Sequence, residues 1–218
     1  MFPDLTSDDI FRLETKRLWL RWPRASDAAS IASFAQRPEI ARMTATIPHP
    51  YPAGEAEQFV LKARADNANG KALILVISQK GGSRPIIGLV SATMSDDGEI
   101  EFGFVLAPAA WGKGFATEAA RATVEAVLAL TKADRIVANA RTINPASRRV
   151  LEKCGFIYID SGLDLLPARG GLHPCDRFQL GRKQWAMSRS SPNLPPMPHQ
   201  TPDVSDGAAL AASPCVEA

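Results

Sequence analysis

Between residues 72 and 128 the apolar pattern changes period, and that change restricts the fold more than any other feature of the chain. The runs 72-ALILVIS-78, 86-IIGLVSATM-94 and 99-EIEFGFVLA-107 are rich in β-branched and aromatic residues, which predicts three strands. QKGGSRP links the first two and a turn at 95-SDDG-98 leads to the third, so the strands form an antiparallel meander. Beyond it Ala116, Ala119, Ala120, Thr123, Val124, Val127 and Leu128 recur at i, i+3, i+4, i+7, i+8, i+11 and i+12, one face of a helix of about 15 residues. Gly112-Lys113-Gly114 therefore sits where a strand hands over to a helix.

Two glycines at such a junction have two readings. One is a tight turn, for which glycine supplies the backbone angles. The other is an anion cradle, in which unpaired amides at a helix N-terminus face a phosphate. Spacing removes two phosphate motifs: a P-loop needs GxxxxGK[ST], and here Gly114 follows Lys113. A dinucleotide fingerprint needs GxGxxG on the first strand of a parallel unit, whereas this GxG follows a meander and ends in Phe115-Ala116.

The remaining chain alternates strands and helices. Residues 16–22, KRLWLRW, have strand composition, and Ser26-Asp27 caps a helix to about Gln36 that Pro38 stops. A helix over 54–68 has Phe59, Val60, Leu61 and Ala63 as its apolar side. A strand at 135–140 precedes a helix from Pro145 to about Cys154, ended by Gly155, and 156–160 and 176–182 are closing strands. The expected class is α+β, a mixed, mostly antiparallel central sheet with helices on both faces.

A chain of 218 residues, 45% hydrophobic and 22% charged, supports one sizeable core. From Ser188 the composition turns to proline, serine and alanine, which predicts a disordered tail at 188–218 behind a domain at 13–187 and a lead at 1–12. The net charge of +2 without a basic stripe argues against nucleic acid. Cys154, Cys175 and Cys215 form no CxxC pair, so neither a disulfide framework nor a zinc site is expected, and no histidine has ligand spacing. The acidic, polar opening MFPDLTSDDIF is unlike a signal peptide, and no run approaches the roughly 18 apolar residues of a membrane span. The expectation is a cytoplasmic protein with no membrane contact, as a monomer or homodimer.

WGKGFATEA (111–119) resembles the pyrophosphate loop of the GNAT superfamily of N-acetyltransferases, in the form common to its RimJ/RimL-type branch. LETKRLWLR (13–21) resembles that branch's first strand, IEFGFVLAP (100–108) its fourth, NPASRRVLEKCGF (144–156) its Asn-to-Gly-Phe block and RFQLGRKQW (177–185) its last strand. The resemblance implies acetyl-coenzyme A as cosubstrate and direct acetyl transfer to a primary amine, on a protein N-terminus or a small molecule. A non-catalytic acyl-coenzyme A binding or sensing module is the alternative.

Carried onto this chain, the resemblance places the coenzyme diphosphate over Gly112, Lys113, Gly114, Phe115, Ala116 and Thr117, where helix-start amides and the dipole favour an anion. It places Phe104, Val105 and Leu106 where one strand splays from the next and main-chain amides meet the pantetheine arm and the acetyl carbonyl. Asn144, followed by Pro145, is an N-cap by its own pattern and a pantetheine contact by the resemblance. Ser147 is the expected proton donor to the leaving thiolate, with Tyr158 as a second choice. Arg148, Arg149 and Lys153 are either a solvated face or partners for coenzyme phosphates. A general base must neutralise the amine, and Glu101 is the candidate, although alternation puts Glu99 on the same face.

Overall fold

The computed structural model describes residues 11–81, 85–95 and 98–190, the last three without their side chains. In chain order the elements are β1 (Arg12–Glu14), β2 (Leu18–Arg21), α1 (Ala28–Ala35), α2 (Pro38–Ala41), α3 (Glu55–Ala68), β3 (Ala72–Gln79), β4 (Ile86–Met94), β5 (Ile100–Leu106), α4 (Phe115–Leu130), β6 (Arg135–Arg141), α5 (Pro145–Lys153), β7 (Ile157–Leu165), β8 (Leu172–Gly181) and α6 (Arg182–Ser190). The strands form one sheet in the order β1-β2-β3-β4-β5-β6-β8-β7. Among the described residues β5 and β6 are the one parallel pair.

Both faces of the sheet are covered, as the α+β reading expects. On one face Leu73, Leu75, Ile77, Ile100, Phe102 and Leu106 pack with α4 and with Leu151 of α5. On the other, Val76 and Leu89 pack with Ile31 and Phe34 of α1 and with Val60 of α3. The stripe read for α4 is the buried one: Ala119, Ala120, Thr123, Val124, Val127 and Leu128 all face the core. Its larger members each contribute about 1.5–3 kcal/mol of burial, and Thr123 Oγ1 donates to the Ala119 carbonyl 3.0 Å away, so its hydroxyl costs little.

Several elements depart from the sequence reading. The strand expected at 16–22 is β2, and β1 precedes it as an extra strand, because Thr15 Oγ1 and the Thr15 amide close a turn onto the Leu18 carbonyl; the strand read as the fourth is thus the fifth. Pro38 does not only stop a helix, since it also occupies the first position of the short α2, where its missing N–H is harmless. Leu61, expected on the apolar side of α3, is 70% exposed. The buried stripe there is Ala56, Val60, Ala63 and Asn67. Asn67 is fully buried because its side chain donates to the Ile74 carbonyl (2.9 Å) and accepts from the Ile74 amide (2.7 Å), tying α3 to β3. The tail expected from Ser188 and the lead before Phe11 lie outside the described residues, except that α6 runs on to Ser190.

Candidate functional site

The register between β5 and β6 creates the site. Ile100 pairs with Ile136 and Glu101 with Val137, and no pairing continues beyond. β5 stays paired with β4 and β6 with β8 along their whole lengths, so the two strands part from each other and a wedge opens between them. Ala107 N donates to the Ile87 carbonyl of the β4 side (2.8 Å). Antiparallel bonding alternates, so the amides of Phe104 and Leu106 point the other way, into the wedge, while that of Val105 faces β4. Gly88 lets β4 press against β5 here, because a Cβ at that position would lie 2.3 Å from the Val105 carbonyl oxygen. Phe104, Val105 and Leu106 all line a cleft of about 940 Å³ that starts in this wedge.

The glycine junction forms one end of the cleft. Gly112 and Gly114 have φ of 73° and 76°, which other residues adopt only with strain. Gly114 is the N-cap of α4, and no side chain caps the helix. The first intrahelical bond runs from Glu118 N to the Gly114 carbonyl (3.1 Å), so the amides of residues 112–117 meet no protein acceptor among the described residues. A Cβ on Gly112 would touch nothing within 4 Å, so the cradle stands open above it. Open amides, open space and a helix N-terminus fit a diphosphate group. Gly112, Gly114, Phe115, Ala116 and Thr117 line the cleft, whereas the Lys113 ammonium turns back to the Ala109 carbonyl (2.8 Å).

A clamp absent from the sequence reading holds this loop. Glu118, in the first turn of α4, accepts from Thr15 Oγ1 (2.6 Å), from Arg17 N (2.8 Å) and from Arg17 Nε (2.6 Å). Arg17 Nη1 donates to the Lys113 carbonyl (2.9 Å), and its guanidinium lies 4.5 Å over the Phe115 ring. Burial pushes the Glu118 carboxyl up, but the hydrogen bonds from Thr15 and Arg17 outweigh it and leave its pKa lowered. The signal for this clamp lay in Arg17 of LETKRLWLR and Glu118 of WGKGFATEA, two quoted motifs whose charged members had no assigned partner.

α5 forms a second wall. Asn144 caps it, accepting from Ser147 N through Oδ1 (3.1 Å). Its amide nitrogen has no partner among the described residues, so the capping and ligand-contact readings are compatible. Asn144 and Ser147 line the cleft, and so do Arg149 and Lys153. Arg148 does not: it pairs with Glu152 (2.9 Å) and Asp176 (3.4 Å) and lies 5.1 Å over Tyr158. Tyr158 is also outside the cleft lining, its hydroxyl 2.9 Å from Ser161 Oγ. Cys154, at the end of this helix, has its thiol pushed up to about 11 by burial, with Arg121 pulling the other way.

Glu101 on β5 and Glu99 just before it are separated by their partners. Glu99 is bound to Arg135. Glu101 is exposed, lines the cleft, and stands opposite Thr93 of β4 on the sheet face covered by α1 and α3. On that face Phe34, Ile47, Tyr51, Glu55 and Phe59 close the far end of the cleft. The Tyr51 phenol is pushed up to about 12, by burial first and then by Glu55 and Glu57, so it stays protonated. The segment carrying Ile47 is pinned by the end of β6 and by the connection between β7 and β8. Arg141 Nη1 donates to the Arg42 carbonyl (2.6 Å), the Ala168 amide to the Ala45 carbonyl (3.0 Å), and Arg169 to the Ile47 carbonyl. Among the described residues no group of histidines, cysteines and acids is placed to hold a metal, and no helix is long and apolar enough to cross a membrane.

The acetyltransferase (GNAT) domain family matches residues 17–157. Among solved structures, the chain is similar to a ribosomal-protein-S5-alanine acetyltransferase from Vibrio fischeri, at 22% identity over 80% of this chain and 98% of that one, with a TM-score of 0.69. It is similar also to a spermidine N-acetyltransferase from Vibrio cholerae in complex with CoA and spermine, at 20% identity over 79% of this chain and 99% of that one, with a TM-score of 0.66. A curated relative, the FsC-acetyl coenzyme A-N(2)-transacetylase of Aspergillus fumigatus, is 30% identical over 87 residues. That stretch is 39% of this chain and 37% of the relative's own length.

Proposed function

The chain belongs to the acetyltransferase (GNAT) family, and from that premise we propose that it transfers the acetyl group of acetyl-coenzyme A to a primary amine by direct attack in a ternary complex. The observation that carries this reading is one continuous cleft joining unpaired amides at 112–117, the amides of the β5–β6 wedge and the free carboxylate of Glu101. The amides of Gly112 to Thr117 hold the diphosphate, with Arg149 and Lys153 supplying positive charge from α5. The Asn144 amide group and the Phe104 and Leu106 amides orient the arm of the cosubstrate, and a wedge amide donates to the carbonyl oxygen as negative charge grows there.

Glu101 takes the proton of the attacking ammonium, directly or through water. A protein α-amino group near pKa 8 gives up its proton at pH 7 for about 1.4 kcal/mol, a lysine-like amine near 10.4 for about 4.6 kcal/mol. Ser147 Oγ, which has no partner among the described residues, relays a proton to the departing thiolate and recovers one from the acetylated nitrogen, which carries a surplus proton after the attack. The RimJ/RimL-type motifs and the named activities of the structural neighbours support amines as the acceptor class. A cytoplasmic setting agrees with the free thiols of Cys154 and Cys175.

The test is initial-velocity kinetics with thiol release as readout. Intersecting lines over varied acetyl-coenzyme A and amine are expected. Parallel lines would mark a covalent acetyl-enzyme and overturn direct transfer. Coenzyme binding without turnover of any amine would leave only a binding module.

A further inference from the structure

The cleft is divided by charge. Of its lining residues, the basic ones are Arg149 and Lys153, both on α5 beside the glycine loop. The acidic ones are Glu55, in the first turn of α3, and Glu101, on the sheet face that α1 and α3 cover. At that end Ile47 and Phe59 form the walls, backed by the buried Phe34. The floor beside Glu101 is hollow, since Gly103 carries no side chain and stands opposite the small Ser91.

We infer that the acceptor is a small primary amine on an uncharged apolar body, an arylalkylamine or alkylamine, with Glu55 selecting for the amine and against carboxylate-bearing substrates. The inference rests on the reading of this cleft as an amine acetyltransferase site. A free amino acid brings a carboxylate to a region whose lining offers it no cation and two anions, and burying an unpaired charge is costly. A polyamine such as spermidine brings two further ammonium groups once its reacting nitrogen is at Glu101, and Glu55 is the single carboxylate left among the lining residues. A monoamine leaves one charge for the acids and lays its carbon skeleton on Ile47 and Phe59. Each methylene that reaches that wall gains about 0.8 kcal/mol, close to fourfold in binding.

The experiment compares kcat/KM for 2-phenylethylamine, L-phenylalanine, spermidine and an alanyl tripeptide, with acetyl-coenzyme A saturating and the full chain as enzyme. The expected order puts 2-phenylethylamine first, about a hundredfold above L-phenylalanine, which differs from it by the carboxylate alone. Glu55→Gln is expected to raise KM for 2-phenylethylamine while leaving acetyl-coenzyme A binding unchanged, and to shrink the preference over L-phenylalanine roughly tenfold. A purely structural Glu55 would not change that ratio. If the Glu55 variant fails to fold, Phe59→Ala replaces it: activity on 2-phenylethylamine should fall, with ethylamine unaffected. Faster turnover of spermidine, L-phenylalanine or the tripeptide overturns the inference and leaves acetyl transfer standing. No turnover of any amine overturns acetyl transfer, and calorimetry of 2-phenylethylamine into the coenzyme A-loaded protein then decides the inference. Binding tighter than that of L-phenylalanine and spermidine supports it, and absence of binding overturns it.

Discussion

Removing Arg17 should weaken coenzyme binding although the side chain need not touch the ligand. Its guanidinium fixes the glycine loop through the Lys113 carbonyl and the Phe115 ring, and it anchors Glu118 at the helix start. A hydrogen bond from a charged donor is worth about 1.5–3 kcal/mol. Arg17 is 43% exposed, so solvent screening reduces the bond to Lys113 to about 1–2 kcal/mol. If that energy holds the cradle in shape, Arg17→Ala raises the dissociation constant for acetyl-coenzyme A about 5- to 30-fold by calorimetry. Glu118→Ala should cost more stability, because Glu118 is 16% exposed and loses three donors. About 3 kcal/mol, or roughly 6–12 °C in Tm, is expected. Lys62→Ala serves as control, since it breaks an exposed i,i+4 pair far from the loop and should change neither quantity measurably. A dissociation constant for Arg17→Ala within twofold of wild type would refute the clamp's role in binding, whatever its Tm.

Other substitutions test the remaining assignments. Glu101→Gln should lower kcat at least about a hundredfold, while Glu99→Gln, whose carboxylate is taken by Arg135, should change it less than about twofold; steady-state rates above pH 7 decide between them. Gly112→Ala should abolish measurable coenzyme binding, because the new Cβ is strained at φ 73° and fills the cradle, whereas Gly81→Ala, strained alike at φ 87° in open space, should cost stability without affecting binding. Glu118 and Asp27 both have lowered pKa values: burial raises each, but hydrogen bonds from Thr15 and Arg17, and from Arg21 and the Arg24 amide, prevail. Their stabilisation is therefore complete above pH 4.5, the ordinary glutamate value, and is lost as pH falls through the lower folded values. Tm should decline below that pH, and less steeply in Glu118→Gln.

The parts of the fold legible in the sequence were those with an uninterrupted period. β3, β4 and β5 are apolar runs bounded by turns, and α4 keeps its stripe over four turns, so their limits fall within a residue or two of the reading. The sequence pattern ends β7 at Asp160, yet the strand runs to Leu165, because an edge strand exposed along most of its length has no burial pattern to show. α3 misled for a related reason: its buried side is made of small residues and Asn67, whose burial depends on a partner seven residues away on β3. The site followed the same division. Gly112 and Gly114 stood out because their backbone angles restrict residue type. Glu99 and Glu101 did not separate, since alternation puts them on one face and what distinguishes them is Arg135, 36 positions along the chain. Arg17 and Glu118 are 101 positions apart, and an exposed charge has no period that would connect them.

Selectivity of the cleft for one cosubstrate is measured by thermal denaturation with acetyl-coenzyme A, coenzyme A, NAD and ATP. Acetyl-coenzyme A at about 100 times its dissociation constant should add about 2.7 kcal/mol, a rise of roughly 5–10 °C. Coenzyme A should act similarly, and neither NAD nor ATP should match them at equal concentration. No shift with millimolar acetyl-coenzyme A, or an equal shift with ATP or NAD, would contradict the account.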